Sequence, residues 1–82
     1  MTLTQLTYFQ TVAKYRHMTR AAEALKVAQP AVSKTIKDLE TELKTPLFSR
    51  TGNTIYLNQC GQILLKYTEQ IFDCFNNIAA NN

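Results

Sequence analysis

The chain of 82 residues has the composition of a small soluble domain, with 45% hydrophobic and 18% charged residues. A chain of this length buries only about 60 to 65% of its unfolded surface, so a partner chain would add to its stability. The sequence has neither an apolar run long enough for a membrane span nor a signal-peptide pattern. We therefore expect a cytoplasmic protein without a membrane partner.

The formal net charge of +3 is distributed unevenly along the chain. Residues 1–58 carry eight basic and four acidic side chains, whereas residues 59–82 carry one basic and two acidic ones. A basic surplus favours binding to a polyanion, although many domains that bind none reach the same charge. The first segment is therefore the candidate binding part.

The residues indicate neither a metal site nor a catalytic centre. Cys60 and Cys74 would lie about 21 Å apart in one helix, which excludes a disulfide within that helix. Their spacing matches no zinc-ligand pattern, and His17 is the only histidine. With no converging acid pair and no glycine-rich phosphate loop, we predict no enzyme, no metal and no cofactor. We expect the cysteines to be reduced and packed as small hydrophobic residues.

The first helix is predicted over about residues 4–14. Apolar residues recur at helical spacing and should face the core: Leu3, Leu6, Phe9, Val12 and Ala13.

Residues 19–40, TRAAEALKVAQPAVSKTIKDLE, have the pattern of a helix-turn-helix. Thr19 is placed to cap a second helix that ends at Leu25, and residues 26–29 form the turn. Pro30 begins a third helix, because its missing N–H needs no partner at a helix start. Small, apolar and β-branched residues allow the two helices to cross closely: Ala22, Leu25, Val27, Val32 and Ile36.

The third helix, about residues 30–43, has two distinct faces. The face toward the core carries Val32, Ile36, Leu39 and Leu43. The opposite face carries Pro30, Lys34, Lys37 and Thr41. Ser33 lies at the flank of this outer face and Gln29 just ahead of the helix, so Gln29, Ser33 and Lys34 can touch base edges or phosphates.

Residues 47–57 are predicted to form a β-hairpin, with strands over 47–50 and 55–57 and a turn over 51–54. Pro46 prevents the preceding helix from continuing. Gly52 and Asn53 can adopt the positive φ values of a tight turn, so conformation alone also explains Asn53. A hairpin after such a helix is a wing.

Asn58 is placed to cap a last helix over about residues 59–79, which has two apolar stripes in heptad spacing. The first stripe contains Cys60, Leu64, Tyr67, Ile71, Cys74 and Ile78, and the second contains Gly61, Leu65, Thr68, Phe72, Phe75 and Ala79. One stripe would pack on the first helix and the other on a second copy of the chain. The alternative is a wider groove within one chain. We predict a homodimer with the interface residues Leu64, Tyr67, Ile71, Cys74 and Ile78.

The predicted fold is therefore mainly α. Residues 1–58 form a winged helix-turn-helix of three helices and a two-stranded wing, and residues 59–82 form a long dimerisation linker helix.

An ordered set of residues resembles the N-terminal DNA-binding region of LysR-type transcriptional regulators. The set extends through nearly the whole chain: Ala21-Ala22, Leu25, Gln29-Pro30-Ala31-Val32-Ser33, Ile36, Leu39-Glu40, Leu43, Leu47-Phe48, Arg50, Leu57 and Gly61. The resemblance implies that the linker helix pairs antiparallel with its counterpart in a homodimer. It also implies a C-terminal domain, outside this sequence, that binds a small inducer.

The resemblance further implies contacts with double-stranded DNA. Base reading would involve Gln29, Pro30, Ala31, Ser33 and Lys34, with Asn53 of the wing at the minor groove. Backbone contacts would involve Thr19, Arg20, Thr35, Lys37, Arg50 and Thr51. A dimer would place its two recognition helices in successive major grooves of an inverted-repeat operator.

Several of these residues have structural alternatives. Thr19 could serve only as a cap, and Lys37 could be a solvated charge. Arg50 could pair with Glu40, the role we favour for it, and the Ser33 hydroxyl could bond to the Gln29 carbonyl.

The sequence departs from the family pattern at three places. Ala28 stands where Ser is common, and Lys44 stands where a helix-ending Gly is usual, which predicts a strained or altered turn. Asn53-Thr54 replaces a commonly basic wing. We expect weaker minor-groove anchoring and a salt dependence shallower by about 0.9 for each lost phosphate contact.

These features together predict a sequence-specific transcriptional regulator. A winged helix used for protein association is the alternative, but it leaves the outward Gln29, Ser33 and Lys34 unexplained.

Overall fold

A computed structural model describes residues 1–81 as four helices and one two-stranded antiparallel sheet. The elements in chain order are α1 Leu3–Tyr15, α2 Met18–Leu25, α3 Gln29–Leu43, β1 Phe48–Thr51, β2 Thr54–Leu57 and α4 Gln59–Ala80. The predicted mainly α architecture, a winged helix-turn-helix followed by a long helix, is confirmed. Asn82, the last residue of the predicted linker segment, lies outside the described residues.

The core lies where the first three helices meet under the hairpin. Its buried residues come from α1, α2, α3, the loop after α3 and β2: Phe9, Val12, Ala21, Ala22, Val32, Ile36, Leu39, Leu47 and Ile55. The Phe9 and Phe48 rings, with centroids 5.5 Å apart, join α1 to the wing. The predicted inner face of α3 is confirmed, with Leu43 half-buried at its end. The expectation for Leu3 is wrong, since it lies in the first turn of α1 and stays exposed.

The predicted cap of α2 is also wrong. His17, not Thr19, precedes the helix in an extended conformation, and its Nδ1 accepts the backbone N–H of Arg20 at 3.3 Å. Thr19 lies inside the first turn. The helix begins one residue before Thr19 because Met18 is half-buried and packs against the core. Sequence rules favour Thr over His as a cap and carry no information on that packing.

Three helices end at a basic residue with a left-handed backbone: Arg16 at φ 56°, Lys26 at φ 60° and Lys44 at φ 58°. After α3, the Thr45 N–H donates to the Glu40 carbonyl at 3.1 Å and the Lys44 N–H donates to the Thr41 carbonyl at 3.2 Å. This is the Schellman arrangement that Gly usually completes. Lys44 therefore keeps the ordinary shape of the turn at the expense of backbone strain, while its charge suits the helix C-terminus.

The hairpin pairs Arg50 with Ile55 and Thr51 with Thr54 across the turn. Gly52 has a φ of 61°, whereas Asn53 does not have a positive φ, so only one residue of the predicted pair needs that conformation. A positive φ at the first central residue alone is the pattern of a type II′ turn. The Ile55 N–H donates to the Arg16 carbonyl at 3.3 Å, which ties the wing to the end of α1.

Helix α4 begins at the predicted cap, since Asn58 Oδ1 accepts the Gly61 N–H at 2.8 Å. Leu64 and Leu65 pack against the core, and Thr68 is fully buried with its hydroxyl donating to the Leu64 carbonyl. Residues 73–81 are all exposed. The first half of α4 thus belongs to the body of the domain, and the second half extends beyond it.

Both cysteines are free, as expected, but the expectation that they are packed as small hydrophobic residues is wrong within this chain. Cys60 is exposed in the first turn of α4, where the Thr45 hydroxyl donates to its Sγ at 3.6 Å, and Cys74 is exposed in the half of α4 that extends beyond the body of the domain.

No helix within residues 1–81 combines the length and the apolar character needed to cross a membrane.

The strain at Lys44 leads to a prediction about stability. Lys44→Gly should raise the free energy of unfolding by about 0.5 to 1 kcal/mol, because Gly adopts the left-handed conformation without steric conflict. Lys37→Gly, in the middle of the same helix, should lower it by about 1 kcal/mol. Urea denaturation followed by circular dichroism measures both, and a less stable Lys44→Gly variant would contradict the assignment of strain.

Candidate nucleic-acid interface

The turn between α2 and α3 contains three residues, Lys26, Val27 and Ala28. The Val27 N–H donates to the Ala22 carbonyl at 3.0 Å, which folds the chain back against α2. Ala28 is the N-cap of α3 and makes no side-chain capping bond. The departure from Ser therefore leaves α3 without a capping hydroxyl, and Pro30 in the first turn supports the helix start instead.

The outer face of α3 presents the residues that the sequence places there. Gln29, Pro30, Ala31, Lys34 and Lys37 are exposed. Two further candidates, Ser33 and Thr35, are half-buried, and the Thr35 hydroxyl donates to the Ala31 carbonyl at 2.9 Å.

Gln29 and Ser33 form one unit on this face. Gln29 Nε2 donates to Ser33 Oγ at 2.8 Å, one helical turn along α3. The structural alternative for Ser33, a bond to the Gln29 backbone carbonyl, does not form within residues 1–81, and its hydroxyl accepts from the Gln29 side-chain amide instead. This bond uses one amide hydrogen and restricts the side chain of Gln29. The second hydrogen and Oε1 form the donor and acceptor pair that matches the N7 and N6 edge of adenine.

Lys34 is paired within α3, since its Nζ lies 2.8 Å from Asp38 Oδ2. Both side chains are well exposed, at 78% and 48%. An exposed pair of this kind contributes about 0 to 1 kcal/mol. Lys34 can therefore exchange Asp38 for a phosphate or a base at little loss.

The wing, α2 and α3 together surround one concave region of about 180 Å³. Its lining includes His17 and Thr19 at the start of α2, Gln29 at the start of α3, and Arg50 and Asn53 of the wing. Residues more than thirty positions apart in sequence thus meet around one depression, beside the exposed face of α3.

The favoured structural role of Arg50 is wrong. Glu40 Oε2 instead accepts the Leu47 N–H at 2.7 Å and holds the loop after α3. Arg50 sits opposite Ile55 in the hairpin, is exposed, and forms no ion pair with any residue in the described range 1–81. Its guanidinium is available to a ligand.

The sequence-based set omits His17, which lines the depression, and Tyr56, which does not line it but bonds to the predicted contact residue Thr51. His17 caps α2 and lines the depression, and its being the only histidine gives no positional signal. Tyr56 is exposed on β2, and its hydroxyl oxygen accepts a hydrogen bond from the Thr51 hydroxyl at 3.2 Å. The alternation of Ile55, Tyr56 and Leu57 does contain a signal for an outward Tyr56.

The outer side of α4 forms a second surface, which is apolar. Of the five predicted interface residues, Tyr67, Ile71, Cys74 and Ile78 are exposed, whereas Leu64 is half-buried against the chain's own core. Exposed apolar residues outside the predicted set are Ile63 and Phe75, at 52% and 57% exposure. A groove of about 260 Å³ continues this surface onto the body and is lined by Leu43, Thr45, Leu47, Cys60, Ile63, Leu64 and Tyr67.

Within residues 1–81, no three His, Cys, Asp or Glu side chains are grouped so that they could hold a metal ion.

This architecture and its two surfaces define a winged helix-turn-helix domain of the nucleic-acid-binding class. Residues 3–62 match the family model described as bacterial regulatory helix-turn-helix protein, lysR family. The chain therefore belongs to the LysR family.

Relatives support the same assignment. The chain is 52% identical over 62 residues to the uncharacterized HTH-type transcriptional regulator YybE of Bacillus subtilis, covering 76% of the chain and 21% of the relative. It is 48% identical over 62 residues to the HTH-type transcriptional regulator BudR of Klebsiella aerogenes, covering 76% and 43%. The chain thus spans only part of the length of these regulators.

Solved structures share the fold over nearly the whole chain. The CbnR_DBD–DNA complex matches with a TM-score of 0.91 and 30% identity, covering 99% of this chain and 93% of that one. The BenM_DBD/catB site 1 DNA complex matches with a TM-score of 0.91 and 29% identity, covering 98% and 89%.

Proposed function

We propose that this chain is the DNA-binding part of a sequence-specific transcriptional regulator that binds an inverted-repeat operator as a homodimer. The observation that carries the proposal is the shared depression, where candidate contact residues from α2, α3 and the wing converge next to the exposed face of α3. A winged helix in a complex with DNA, at a TM-score of 0.91, supports it. A purely protein-binding role does not account for this convergence of polar and basic groups.

The proposed contacts follow the chemistry of each exposed group. Helix α3 lies in the major groove, where Gln29 reads adenine and the apolar surfaces of Pro30 and Ala31 rest against a thymine methyl. Lys34 leaves Asp38 to bind guanine or a phosphate. Ser33 contributes by holding Gln29, since its hydroxyl accepts from that side chain. Asn53 lies at the minor groove.

A second group of residues is proposed to fix the position of the protein on the DNA backbone. It comprises Thr19, Arg20, Thr35, Lys37, Arg50 and Thr51. Arg50 is the strongest of these, because it lines the depression and, like Arg20 and Lys37, has no ion pair within residues 1–81 that must be broken before it binds a phosphate.

We further propose that residues 1–58 read the DNA and that residues 59–82 join two copies. The support is the second half of α4, where Ile71, Phe75 and Ile78 are exposed at 43% to 61%. Contiguous exposed apolar patches of this kind mark interaction sites. Antiparallel pairing of two α4 helices would cover them and place two α3 helices on one side of the dimer.

We infer a cytoplasmic regulator that has no catalytic activity and needs no cofactor for DNA binding. In a LysR-type protein a small inducer would act through a C-terminal domain, and this chain spans 21% of the length of YybE and 43% of the length of BudR.

Selection of binding sites from a random DNA pool tests the proposed function. The selected sites should have dyad symmetry, because a symmetric dimer presents two identical reading surfaces. Enrichment of single asymmetric half-sites would contradict the dimer, and no enrichment at all would contradict sequence-specific binding.

The bond between Gln29 and Ser33 leads to a sharper expectation. Gln29→Ala should weaken binding to the selected site by about 1 to 3 kcal/mol and change binding to random DNA little. Ser33→Ala should weaken it less, and the double variant should bind about as well as Gln29→Ala alone, because Ser33 acts through Gln29. Fluorescence anisotropy titrations measure all four chains. Fully additive losses would instead assign Ser33 a contact of its own.

The apolar stripe of α4 gives a test of dimerisation. Ile71→Glu should shift the chain toward monomer and weaken binding to paired half-sites, because a charge would be buried in the contact. Gln70→Glu adds the same charge at the adjacent exposed position and should leave the dimer intact. Sedimentation velocity measures both variants, and an unchanged dimer in Ile71→Glu would remove this stripe from the interface.

A further inference from the structure

We propose that Asn58 is a positioning residue that holds α4 at a set angle to α3, the proposed recognition helix. It would thereby determine which spacing between the two half-sites of an operator the dimer accepts. This inference rests on the proposed binding of a dimer to DNA. It concerns a residue that lies on neither the reading face of α3 nor the apolar stripe of α4.

Asn58 makes three hydrogen bonds at the start of α4, and two of them join this helix to the segment that follows α3. Its Oδ1 caps α4 by accepting the Gly61 N–H at 2.8 Å. Its Nδ2 donates to the Pro46 carbonyl at 2.8 Å, and its backbone N–H donates to the Leu47 carbonyl at 3.0 Å. One side chain therefore caps the helix and also binds it to the body of the domain.

The far side of this connection is fixed to α3. Glu40, in the last turn of α3, accepts the Leu47 N–H at 2.7 Å through its side chain. Its backbone carbonyl accepts the Thr45 N–H at 3.1 Å. Leu47 itself is buried in the core. The path from the recognition helix to the dimer helix thus passes through Glu40, Pro46-Leu47 and Asn58.

Close packing at Gly61 further restricts the position of the first turn of α4. A Cβ atom at this position would collide with the Leu47 carbonyl oxygen and would press on the Leu57 side chain. The first turn of α4 therefore lies directly against Leu47, and only Gly allows this approach.

The length of α4 converts a small change of angle into a large displacement. Ile71 lies thirteen residues beyond Asn58, or about 20 Å along the helix. A rotation of about 10° at Asn58 would move Ile71 by about 3.5 Å, which is close to one base-pair step. Loosening of the connection should therefore change which half-site spacing the dimer accepts.

Two substitutions of Asn58 test its bond to the Pro46 carbonyl separately from its role as the cap of α4. Asn58→Asp retains an oxygen that can cap α4 but cannot donate to the Pro46 carbonyl, because an ionised carboxylate only accepts hydrogen bonds. Asn58→Ser also retains a capping oxygen, but its shorter side chain lacks the Nδ2 amide that donates to that carbonyl. Gln59→Ser, at the adjacent exposed position, is the matched control. Each chain is titrated with the selected inverted repeat, with repeats lengthened or shortened by one base pair, and with a single half-site.

The Asn58 variants should lose their preference for one half-site spacing while keeping their affinity for a single half-site. The wild-type chain and Gln59→Ser should share one preferred spacing. In Asn58→Ser and Asn58→Asp that preference should fall by about three- to tenfold, the equivalent of one net hydrogen bond. Affinity for the single half-site should stay within about twofold for Asn58→Ser, because the face of α3 is untouched. Urea denaturation should show both variants folded.

Two results would overturn the inference. One would reject only the role of Asn58, and the other would also reject the proposed dimer. An unchanged spacing preference in both Asn58 variants would reject the role of Asn58 alone and leave the proposed dimer intact. A wild-type chain with no spacing preference would reject the proposed dimer and this inference together.

Discussion

The fixed position of Leu47, which is buried and hydrogen-bonded through both its N–H and its carbonyl, is the constraint on which the rest of this structure depends. Its side chain is buried in the core, its N–H is held by Glu40, and its carbonyl accepts the Asn58 N–H. The start of α4 packs so closely on that carbonyl that a Cβ on Gly61 is excluded. The recognition helix, the wing and the long helix all meet at this residue. A small domain with a limited core can be rigid here because hydrogen bonds and close packing act at one point.

The reading face illustrates how such a domain prepares polar groups for a ligand. Gln29 is restrained by Ser33, Lys34 is held by an exposed and weak pair with Asp38, and Arg50 has no ion pair in residues 1–81. The three side chains therefore differ in how strong an internal interaction each must give up before it binds a ligand. Restraint of Gln29 lowers the conformational entropy lost on binding, whereas Lys34 and Arg50 supply charge with little internal loss.

Helix α4 has two roles along one length. Its first half is part of the core through Leu64, Leu65 and Thr68, and its second half presents Ile71, Phe75 and Ile78 without cover from the chain. A single continuous helix makes the position of the apolar half depend on the packing of the first. This dependence is the physical basis for connecting the geometry of a dimer to the orientation of α3.

Much of this architecture is determined by the sequence alone, because its signals are local. The apolar spacing of Val32, Ile36 and Leu39, the position of Pro30 in the first turn of α3 and the turn at Gly52 act within a few residues. The tertiary structure decided the partners of polar groups. It selected His17 over Thr19 as a cap, Leu47 over Arg50 as the partner of Glu40, and the Gln29 amide as the partner of Ser33. It also left both cysteines exposed. These choices depend on which surfaces pack together and where, and no periodicity along the chain encodes that.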